Sequence, residues 1–335
     1  MLNLISHFGI PDCGQISERS IRWSKYRNWA ALRLKQRALE LVVVPAVGGR
    51  LMNIVHEGVE LAFVNDALAG RTATEDPQRW QSLCGDWGFP LWGGGKTWVA
   101  PESRWPLGAP HRDLDSGPYR VIRTWCEADS MGVEMLSRVC RQSGLQIRRS
   151  IEIEVDSGVW RTRHELANQG IRPVEAGIWD VLMLRRPGVV TLPMSGDPET
   201  WRDGIIPFVE KGLLGDVRDS NRVSYRAGGL AVRCDRAVEF KLGVGQSSGK
   251  VDALLERPEG VKRYRRSSTV DISAQYAHGA PVEIFNAPDL PYFEVETHAP
   301  VAHLMPGASC AMVVEEEVAT ASFEDVQMLS HLLTD

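Results

Sequence analysis

The sequence predicts an all-β protein, a large antiparallel sandwich with few short helices. From Leu145 to Val155 the residues of one parity are apolar except for Arg149, and this period of two is that of a strand with one buried face. Further short apolar segments are separated by turns and not by helices, which argues against the βα units of a parallel sheet. Helical signals occur at only two places.

Each predicted strand is an apolar or alternating segment bounded by turn residues. The turns Gly48-Gly49 and Glu57-Gly58 separate the first three strands, and Asp156-Ser157-Gly158 separates two long strands farther on. Many strands joined by hairpins form a sandwich. The predicted strands are residues 39–45, 50–56, 59–64, 145–155, 159–166, 177–184, 229–234, 238–244, 282–285, 292–298 and 311–318.

The two helical signals are a proline and a capping pattern. Thr74-Glu-Asp-Pro precedes residues 78–83 and places the proline in the first turn of a short helix. Ser322-Phe-Glu-Asp has capping-box spacing ahead of an apolar stripe. This pattern predicts a helix over residues 323–333 near the end of the chain.

Charge and composition narrow the possible partners. The 38 basic and 43 acidic residues are spread along the chain, so no basic stripe points to nucleic acid. Residues 1–15 lack the pattern of a signal peptide, and no apolar run is long enough for a membrane span. We therefore expect a cytoplasmic protein of one domain over residues 1–335, with its sandwich core over about residues 26–318. Neither nucleic acid nor a membrane is an expected partner, and the oligomeric state is not predicted.

The cysteines point to no metal cluster. They are widely scattered and include no C-x-x-C pair, which argues against a zinc site and against a dense disulfide scaffold. We expect buried thiols in a reducing compartment, no metal and no other cofactor. The six cysteines are Cys13, Cys84, Cys126, Cys140, Cys234 and Cys310.

The segment Pro90-Leu-Trp-Gly-Gly-Gly-Lys-Thr-Trp98 ends like a phosphate-binding loop. That motif needs a glycine where Pro90 stands, and it needs a helix where Pro101 soon follows. A nucleotide site is therefore not expected. Three glycines beside a lysine and two tryptophans need another explanation.

Two further motifs fit their chemistry poorly. Gly245-Gln-Ser-Ser-Gly249 has the pattern of a hydrolase nucleophile elbow, but that fold requires a parallel sheet. We predict a turn between two strands at this place. His164-Glu165 begins like a zinc motif, but Asn168 stands where the second histidine is needed and the segment is predicted to be a strand.

The strand predicted over residues 292–298 is more informative. Its alternation places Tyr292, Glu294, Glu296 and His298 on one face and the three residues between them on the other. If the first face lines a cleft, the two carboxylates repel each other and one becomes a stronger base. The alternative is a solvated face.

Four segments in order resemble the galactose-mutarotase-like superfamily. They are Glu40-Leu-Val-Val-Val-Pro-Ala-Val-Gly-Gly-Arg-Leu, Gly94-Gly-Lys-Thr-Trp-Val-Ala-Pro-Glu, Tyr292-Phe-Glu-Val-Glu-Thr and Leu304-Met-Pro-Gly-Ala-Ser. The resemblance is closest to a branch with no assigned activity and covers the chain from about Tyr26 to Val318. It implies a β-supersandwich whose concave face binds a sugar.

Aldose 1-epimerases of this superfamily open and reclose a sugar ring with a carboxylate base and an acid. Val295-Glu296-Thr297-His298, followed by Pro300, matches the segment that carries their base. The resemblance therefore implies that Glu296 is the base. The acid departs from the pattern, because Gln169 stands where the family has histidine and an amide cannot protonate a ring oxygen. Either Lys96, His164 or His298 supplies the proton, or the protein binds sugar without turnover.

The resemblance also explains the glycine-rich segment as a lining of the sugar site. Lys96 donates to hydroxyl groups there, and Trp98 or Trp92 stacks on the apolar face of the ring. The alternative places both tryptophans in the core and Lys96 in solvent, with His164 as an ordinary residue of the sheet. The other candidates for substrate binding are Arg50 at the rim, Glu102, Trp179, Asp180, Gln169 and His164.

Three functions remain open from the sequence. The first is a carbohydrate-binding enzyme of the aldose 1-epimerase type with Glu296 as base. The second is a sugar sensor without catalysis on the same fold. The third is another carbohydrate enzyme, a lyase or epimerase with Glu294 and His298 as acid and base. Each has a small carbohydrate as its partner, which the sequence does not identify.

Overall fold

The computed structural model describes residues 19–194, 198–211, 215–226 and 228–334, and these form 22 strands and four α-helices. The helices are α1 (Pro77–Cys84), α2 (Arg112–Asp115), α3 (Pro198–Trp201) and α4 (Phe323–Thr334). The strands are β1 (Arg19–Tyr26), β2 (Trp29–Gln36), β3 (Leu39–Val44), β4 (Arg50–His56), β5 (Val59–Glu60), β6 (Gly95–Ala100), β7 (Arg120–Cys126), β8 (Ser130–Leu136), β9 (Leu145–Glu154), β10 (Val159–Asn168), β11 (Val174–Arg185), β12 (Gly188–Pro193), β13 (Ile205–Lys211), β14 (Val223–Arg226), β15 (Gly229–Cys234), β16 (Glu239–Val244), β17 (Lys250–Leu255), β18 (Lys262–Ser268), β19 (Val282–Asn286), β20 (Tyr292–His298), β21 (Ala302–Leu304) and β22 (Ser309–Thr320).

The strands form two antiparallel sheets. The first has 12 strands, in the order β1-β2-β3-β4-β6-β11-β20-β19-β16-β13, with β5 paired to β4 and β21 paired to β11. The second has 10 strands, in the order β14-β15-β12-β17-β18-β22-β10-β9-β8-β7. A hydrophobic core drawn from both sheets lies between them. The all-β sandwich predicted from the sequence is confirmed.

Local alternation accounts for the strands. Along β9 every second residue is buried, as the period of two predicts. The predicted bounds hold for β4, β15 and β20, whereas β11 and β22 extend beyond the predicted segments at both ends. The strand predicted over residues 59–64 is shorter, because β5 ends at Glu60 and only isolated bridges follow.

Both predicted helices are confirmed. Asp76 caps α1 by accepting from the Arg79 N–H, and Pro77 is its first residue. Ser322 Oγ accepts from the Asp325 N–H at 3.1 Å, and the Ser322 N–H donates to Asp325 Oδ2 at 2.9 Å, which is a reciprocal cap for α4.

The three motif matches lie in strand and turn structure. Lys96 lies on β6, where a phosphate-binding loop requires a helix N-terminus. Ser247 lies in the turn between β16 and β17 and is buried, as predicted for a turn between strands. His164 lies on the strand β10, whereas the zinc motif that begins with His-Glu requires a helix, so that motif is excluded here.

The prediction that the cysteines are buried free thiols is wrong for one of them. Cys126 is disulfide-bonded, while Cys84, Cys140, Cys234 and Cys310 are free. Cys13 and the segment 1–15, on which the signal-peptide prediction rests, lie outside the described residues. Among the helices of the described part of the chain, none has the length and apolar character that crossing a membrane requires.

A layer of buried charged side chains crosses the core between the sheets. Asp180 of β11 forms an ion pair with Arg266 of β18, and its Oδ1 lies 3.4 Å from His164 Nε2 on β10. His164 Nδ1 is in turn 2.8 Å from the Thr97 hydroxyl on β6. Because Asp180 and Thr97 belong to the first sheet and the other two to the second, these contacts fix how the sheets pack.

The contribution of His164 to the stability of the protein is expected to fall between pH 7 and pH 5. Burial lowers the pKa of His164 to about 3, while an unfolded histidine titrates near 6.5. Below about pH 6.5 the unfolded chain binds a proton that the folded chain does not, so falling pH favours unfolding until about pH 3. At pH 5 the loss is about 2 kcal/mol, from about 1.5 pH units at about 1.4 kcal/mol each.

Urea unfolding at both pH values measures this loss. The His164 contribution is the difference in pH dependence between the wild type and His164→Gln, because Glu296, with a pKa raised to about 8, contributes in the opposite direction in both proteins. Replacing the exposed His303 by glutamine should leave the wild-type pH dependence unchanged. Equal pH dependence in the wild type and His164→Gln would show that His164 is not its source.

Candidate functional site

A polar cluster lies on the face of the first sheet that is turned away from the core. The strand register places its residues in rows across β6, β11, β20, β19 and β16. The first row is Trp98, Trp179 and His298; the second is Lys96, Val181, Glu296 and Glu283; the third is Met183, Glu294, Phe285 and Lys241.

The alternation predicted along β20 is observed. Phe293 and Val295 enter the core between the sheets, while Glu294, Glu296 and His298 point to the opposite side. All three polar side chains are nonetheless buried. The alternative of a solvated face is therefore wrong.

Glu296 lies at the centre of the cluster and is completely buried. Its Oε2 accepts from Trp179 Nε1 at 2.7 Å and from Lys241 Nζ at 3.0 Å. Its Oε1 has no hydrogen-bond partner among the described residues. Burial raises the pKa of Glu296 to about 8, although Lys241 opposes the rise. One oxygen is held in place and the other has no partner among the described residues, and the raised pKa makes the carboxylate form a stronger base than an exposed glutamate.

Lys96 and Glu294 form a second buried pair beside it. The Lys96 Nζ donates to Glu294 Oε1 at 3.0 Å and lies 3.7 Å from the centre of the Trp98 ring. Burial lowers the pKa of Lys96, and the neighbouring Glu294 only partly offsets this. The ammonium is thus a better proton donor than an exposed lysine.

Tryptophan rings form an aromatic wall next to these groups. Trp98 meets Trp179 edge to face at 5.0 Å between ring centroids, and Trp105 stacks on Trp179 at 5.6 Å. Trp98 is held by its Nε1, which donates to Asp115 Oδ1 at 2.7 Å. The two indoles predicted to contact a sugar ring, Trp98 and Trp179, therefore lie together.

Arg50 and Trp92 make hydrogen bonds that hold Asp115 and Ser116 next to this aromatic wall. Arg50 donates to Asp115 Oδ1 at 2.6 Å, and Trp92 Nε1 donates to the Ser116 hydroxyl at 2.9 Å. Both side chains are buried, so Arg50 is not the rim cation that the sequence predicted, and Trp92 lies in the core. Arg50 binds Asp115 directly, and Trp92 is linked to it through the Ser116 hydroxyl, which donates to Asp115 Oδ2 at 2.6 Å. Asp115 in turn accepts from Trp98.

The glycines of the segment before Lys96 serve chain packing. Gly93 and Gly94 have φ angles of 100° and 68°, a region that favours glycine. A Cβ at Gly93 would lie 2.3 Å from the Phe63 carbonyl oxygen, and one at Gly94 would lie 2.6 Å from that of Leu51. These glycines bring the segment against β4 and the chain after β5, which sets the position of Lys96 on β6.

A third group joins Glu283 to two histidines and a lysine. Glu283 Oε1 lies 2.7 Å from His278 Nδ1 and 3.2 Å from His298 Nε2, and Oε2 lies 2.7 Å from Lys241 Nζ. Burial raises the pKa of Glu283, but His298, His278 and Lys241 outweigh it and hold the pKa well below its usual value. Burial also lowers the pKa of His298, although the neighbouring Glu283 opposes this.

The sequence reasoning missed Lys241, Glu283 and His278. Glu283 stands inside an otherwise apolar predicted strand, and a charge in such a place is a usable signal. Lys241 stands in a predicted strand that also contains Glu239, so its signal is weaker. His278 lies in the turn before β19 and gave no local signal, because only the fold brings it to Glu283.

Four predicted residues lie away from the cluster. Asp180 and His164 point into the core between the sheets, since Asp180 follows Trp179 on a strand and faces the opposite way. Gln169 is exposed in the loop after β10, and Glu102 is exposed in the turn after β6. The structure therefore does not bring these four side chains to Glu296.

Solvent reaches the cluster at one side. The side chains of Lys241 and His278 are 15% and 14% exposed, whereas those of Glu283 and His298 are wholly buried. Among the described residues of the cluster, access is therefore on the side of β16 and the turn that carries His278.

The structure resembles solved proteins of the mutarotase type. A protein from Klebsiella pneumoniae, provisionally described as an aldose 1-epimerase, shares 12% identity and a TM-score of 0.59 over 91% of this chain and 83% of its own. A provisionally described mutarotase from Salmonella typhimurium shares 11% identity and a TM-score of 0.57 over 96% of this chain and 100% of its own. A galactose mutarotase-like protein from Clostridium acetobutylicum shares 12% identity and a TM-score of 0.54 over 91% and 99%.

These likenesses show the fold and nothing finer. The chain has the galactose-mutarotase-like fold that the sequence resemblance implied. No protein-family profile matches the sequence, and no curated protein matches it significantly. What the cluster on the outer face of the first sheet does must be argued from its own geometry.

Proposed function

We propose that the protein interconverts the anomers of a small sugar, as an aldose 1-epimerase does, with Glu296 as the base. The observation that carries this proposal is the Glu296 carboxylate, in which Trp179 and Lys241 hold one oxygen and the other has no hydrogen-bond partner among the described residues. An unpaired buried carboxylate oxygen is costly unless a ligand uses it. Trp98 and Trp179 are buried, so the apolar surface against which we expect a pyranose ring to stack is that of Trp105, the half-buried indole of the aromatic wall.

The reaction needs one proton removed and one added. Glu296 Oε1 takes the proton of the anomeric hydroxyl, the bond from the anomeric carbon to the ring oxygen breaks, and the ring oxygen takes a proton. The open-chain aldehyde turns about its terminal carbon–carbon bond, and the reverse steps close the ring on the other face. Both protons return to their donors, so no cofactor is consumed.

Lys96 is the acid in this proposal. It lies in the same row as Glu296, on the other side of Val181, so the two groups flank one position on the sheet. The lowered pKa of Lys96 suits proton donation. Glu294 accepts a hydrogen bond from the Lys96 ammonium and orients it. Of the other two candidates for this role, His164 points into the core between the sheets, and His298 lies in the row of Trp179, whose ring stacks on its imidazole.

The burial of the cluster favours a small substrate. An extended polysaccharide needs an open groove, and the acidic residues of β20 are covered. This argues against the lyase alternative. A sugar sensor without turnover is the second candidate, favoured by the glutamine at position 169, which cannot donate the proton that the family's histidine supplies.

Exchange spectroscopy on a panel of aldoses tests the proposal. We expect saturation-transfer NMR to show faster exchange between anomers of at least one sugar with the protein than with buffer. A sugar that raises the free energy of unfolding, by about 2.7 kcal/mol at a hundred times its Kd, without changing exchange would favour the sensor. A panel that shows neither effect would remove the case for a sugar ligand.

A further inference from the structure

The group formed by His278, Glu283 and His298 has the composition of a metal site. One ligand atom from each residue lies within 4.8 Å of the other two. Two imidazoles and one carboxylate form a common ligand set for divalent first-row transition metals. Hydrogen bonds do not use all of the nitrogen atoms of these histidines. His278 Nε2 and both nitrogens of His298 lack hydrogen-bond partners among the described residues.

The orientation of His298 is the most telling feature. Its Nε2 lies 3.2 Å from Glu283 Oε1 but is not aligned for a hydrogen bond with it. Two ligands of one ion with bonds of about 2.1 Å lie about 3.0–3.4 Å apart, and their lone pairs converge on the ion and not on each other. The 3.2 Å between His298 Nε2 and Glu283 Oε1 falls within that range, and the 2.7 Å between His278 Nδ1 and Glu283 Oε1 would lengthen when an ion replaces the proton between them.

The remaining contacts leave the ligand atoms available. Lys241 pairs with Glu283 through Oε2, so Oε1 is directed at the two histidines. One proton lies in the hydrogen bond between His278 Nδ1 and Glu283 Oε1. If that proton moves to His278 Nε2, the imidazole stays neutral and Nδ1 is free to bind an ion. The partial exposure of His278 gives an ion a way in.

We propose that His278, Glu283 and His298 bind one divalent transition-metal ion. Imidazole nitrogen favours zinc, cobalt or nickel over magnesium and calcium, which prefer oxygen ligands. The site lies beside Glu296, yet the binding of an ion does not depend on the sugar reaction.

Isothermal titration of the full chain, freed of metal with a chelator, tests the site. We expect one Zn²⁺ per chain, no binding of Mg²⁺, and visible absorption bands when Co²⁺ is added. The variant His278→Ala should weaken Zn²⁺ binding by at least about tenfold, since even residues that only support a ligand cost that much. The matched control His303→Ala, which removes an exposed histidine of β21, should bind as the wild type does.

Two results would overturn the proposal. One is a wild-type chain that takes up no Zn²⁺, and the other is equal Zn²⁺ affinity in the wild type and His278→Ala. If His278→Ala does not fold, Glu283→Gln replaces it, because the amide keeps the shape of the carboxylate and loses its charge. No sugar is present in these measurements, so a failure here leaves the proposed sugar chemistry untouched, and the reverse also holds.

Discussion

Replacing Glu296 by glutamine is expected to abolish anomeric exchange and to leave the fold intact. The amide matches the carboxylate in shape, and its oxygen can still accept from Trp179 Nε1 and Lys241 Nζ. It cannot take a proton from a hydroxyl group. General base catalysis is worth about 100-fold to 10,000-fold, and the exchange rate of the variant should fall by that factor.

The measurement is the NMR exchange rate at equal protein concentration, with circular dichroism to confirm the fold. Glu315→Gln is a suitable control, because this glutamate lies on β22 in the second sheet and pairs there with Arg161. Its exchange rate should equal that of the wild type. If Glu296→Gln keeps more than about a tenth of the wild-type rate, Glu296 is not the base.

The position of Glu296 was predictable because it depends on local order. On a strand, alternation alone decides which side each residue of β20 faces, and the sequence shows that alternation directly. The neighbours of Glu296 were not predictable in the same way. Lys241 and Glu283 reach it because β16, β19 and β20 are adjacent in the sheet, and strand order depends on the whole chain.

Trp179 and Asp180 also show what could not be predicted from local order alone. The sequence suggested both as contacts for a sugar, but consecutive residues of a strand face opposite ways. Trp179 bonds to Glu296 on the outer face, and Asp180 bonds to Arg266 inside the core. The sequence therefore allowed only one of the two to lie on the outer face, and it did not show which. The packing of Asp180 against Arg266 in the core places Trp179 there.

This arrangement couples the ionic layer to the candidate site. Arg266 pairs with Asp180 next to Trp179, and it also donates to the Val295 carbonyl oxygen at 2.8 Å, next to Glu296. A side chain of the second sheet therefore binds the Asp180 side chain of β11 and the backbone of β20, next to the two residues that project into the site. Loss of this contact should affect both the stability and the geometry of the site.

Replacing Arg266 by methionine is accordingly expected to destabilise the protein by about 3–5 kcal/mol, the range for removing one partner of a buried ion pair. Asp180 would then stay buried without its guanidinium partner, and Arg149, whose nearest nitrogen is 3.8 Å away, is too distant to replace the hydrogen bond. Urea unfolding measures the effect. The matched control is Arg265→Met, one residue earlier on β18.

Arg265 points to solvent, pairs with Asp252 at 2.7 Å and is 46% exposed, so its loss should cost no more than about 1 kcal/mol. The contrast between two neighbouring arginines tests the burial argument itself, because the two variants share the substitution and the strand. Equal destabilisation would mean that the layer between the sheets adds little to stability. It would also remove the reason to expect that the second sheet positions Trp179 and Glu296.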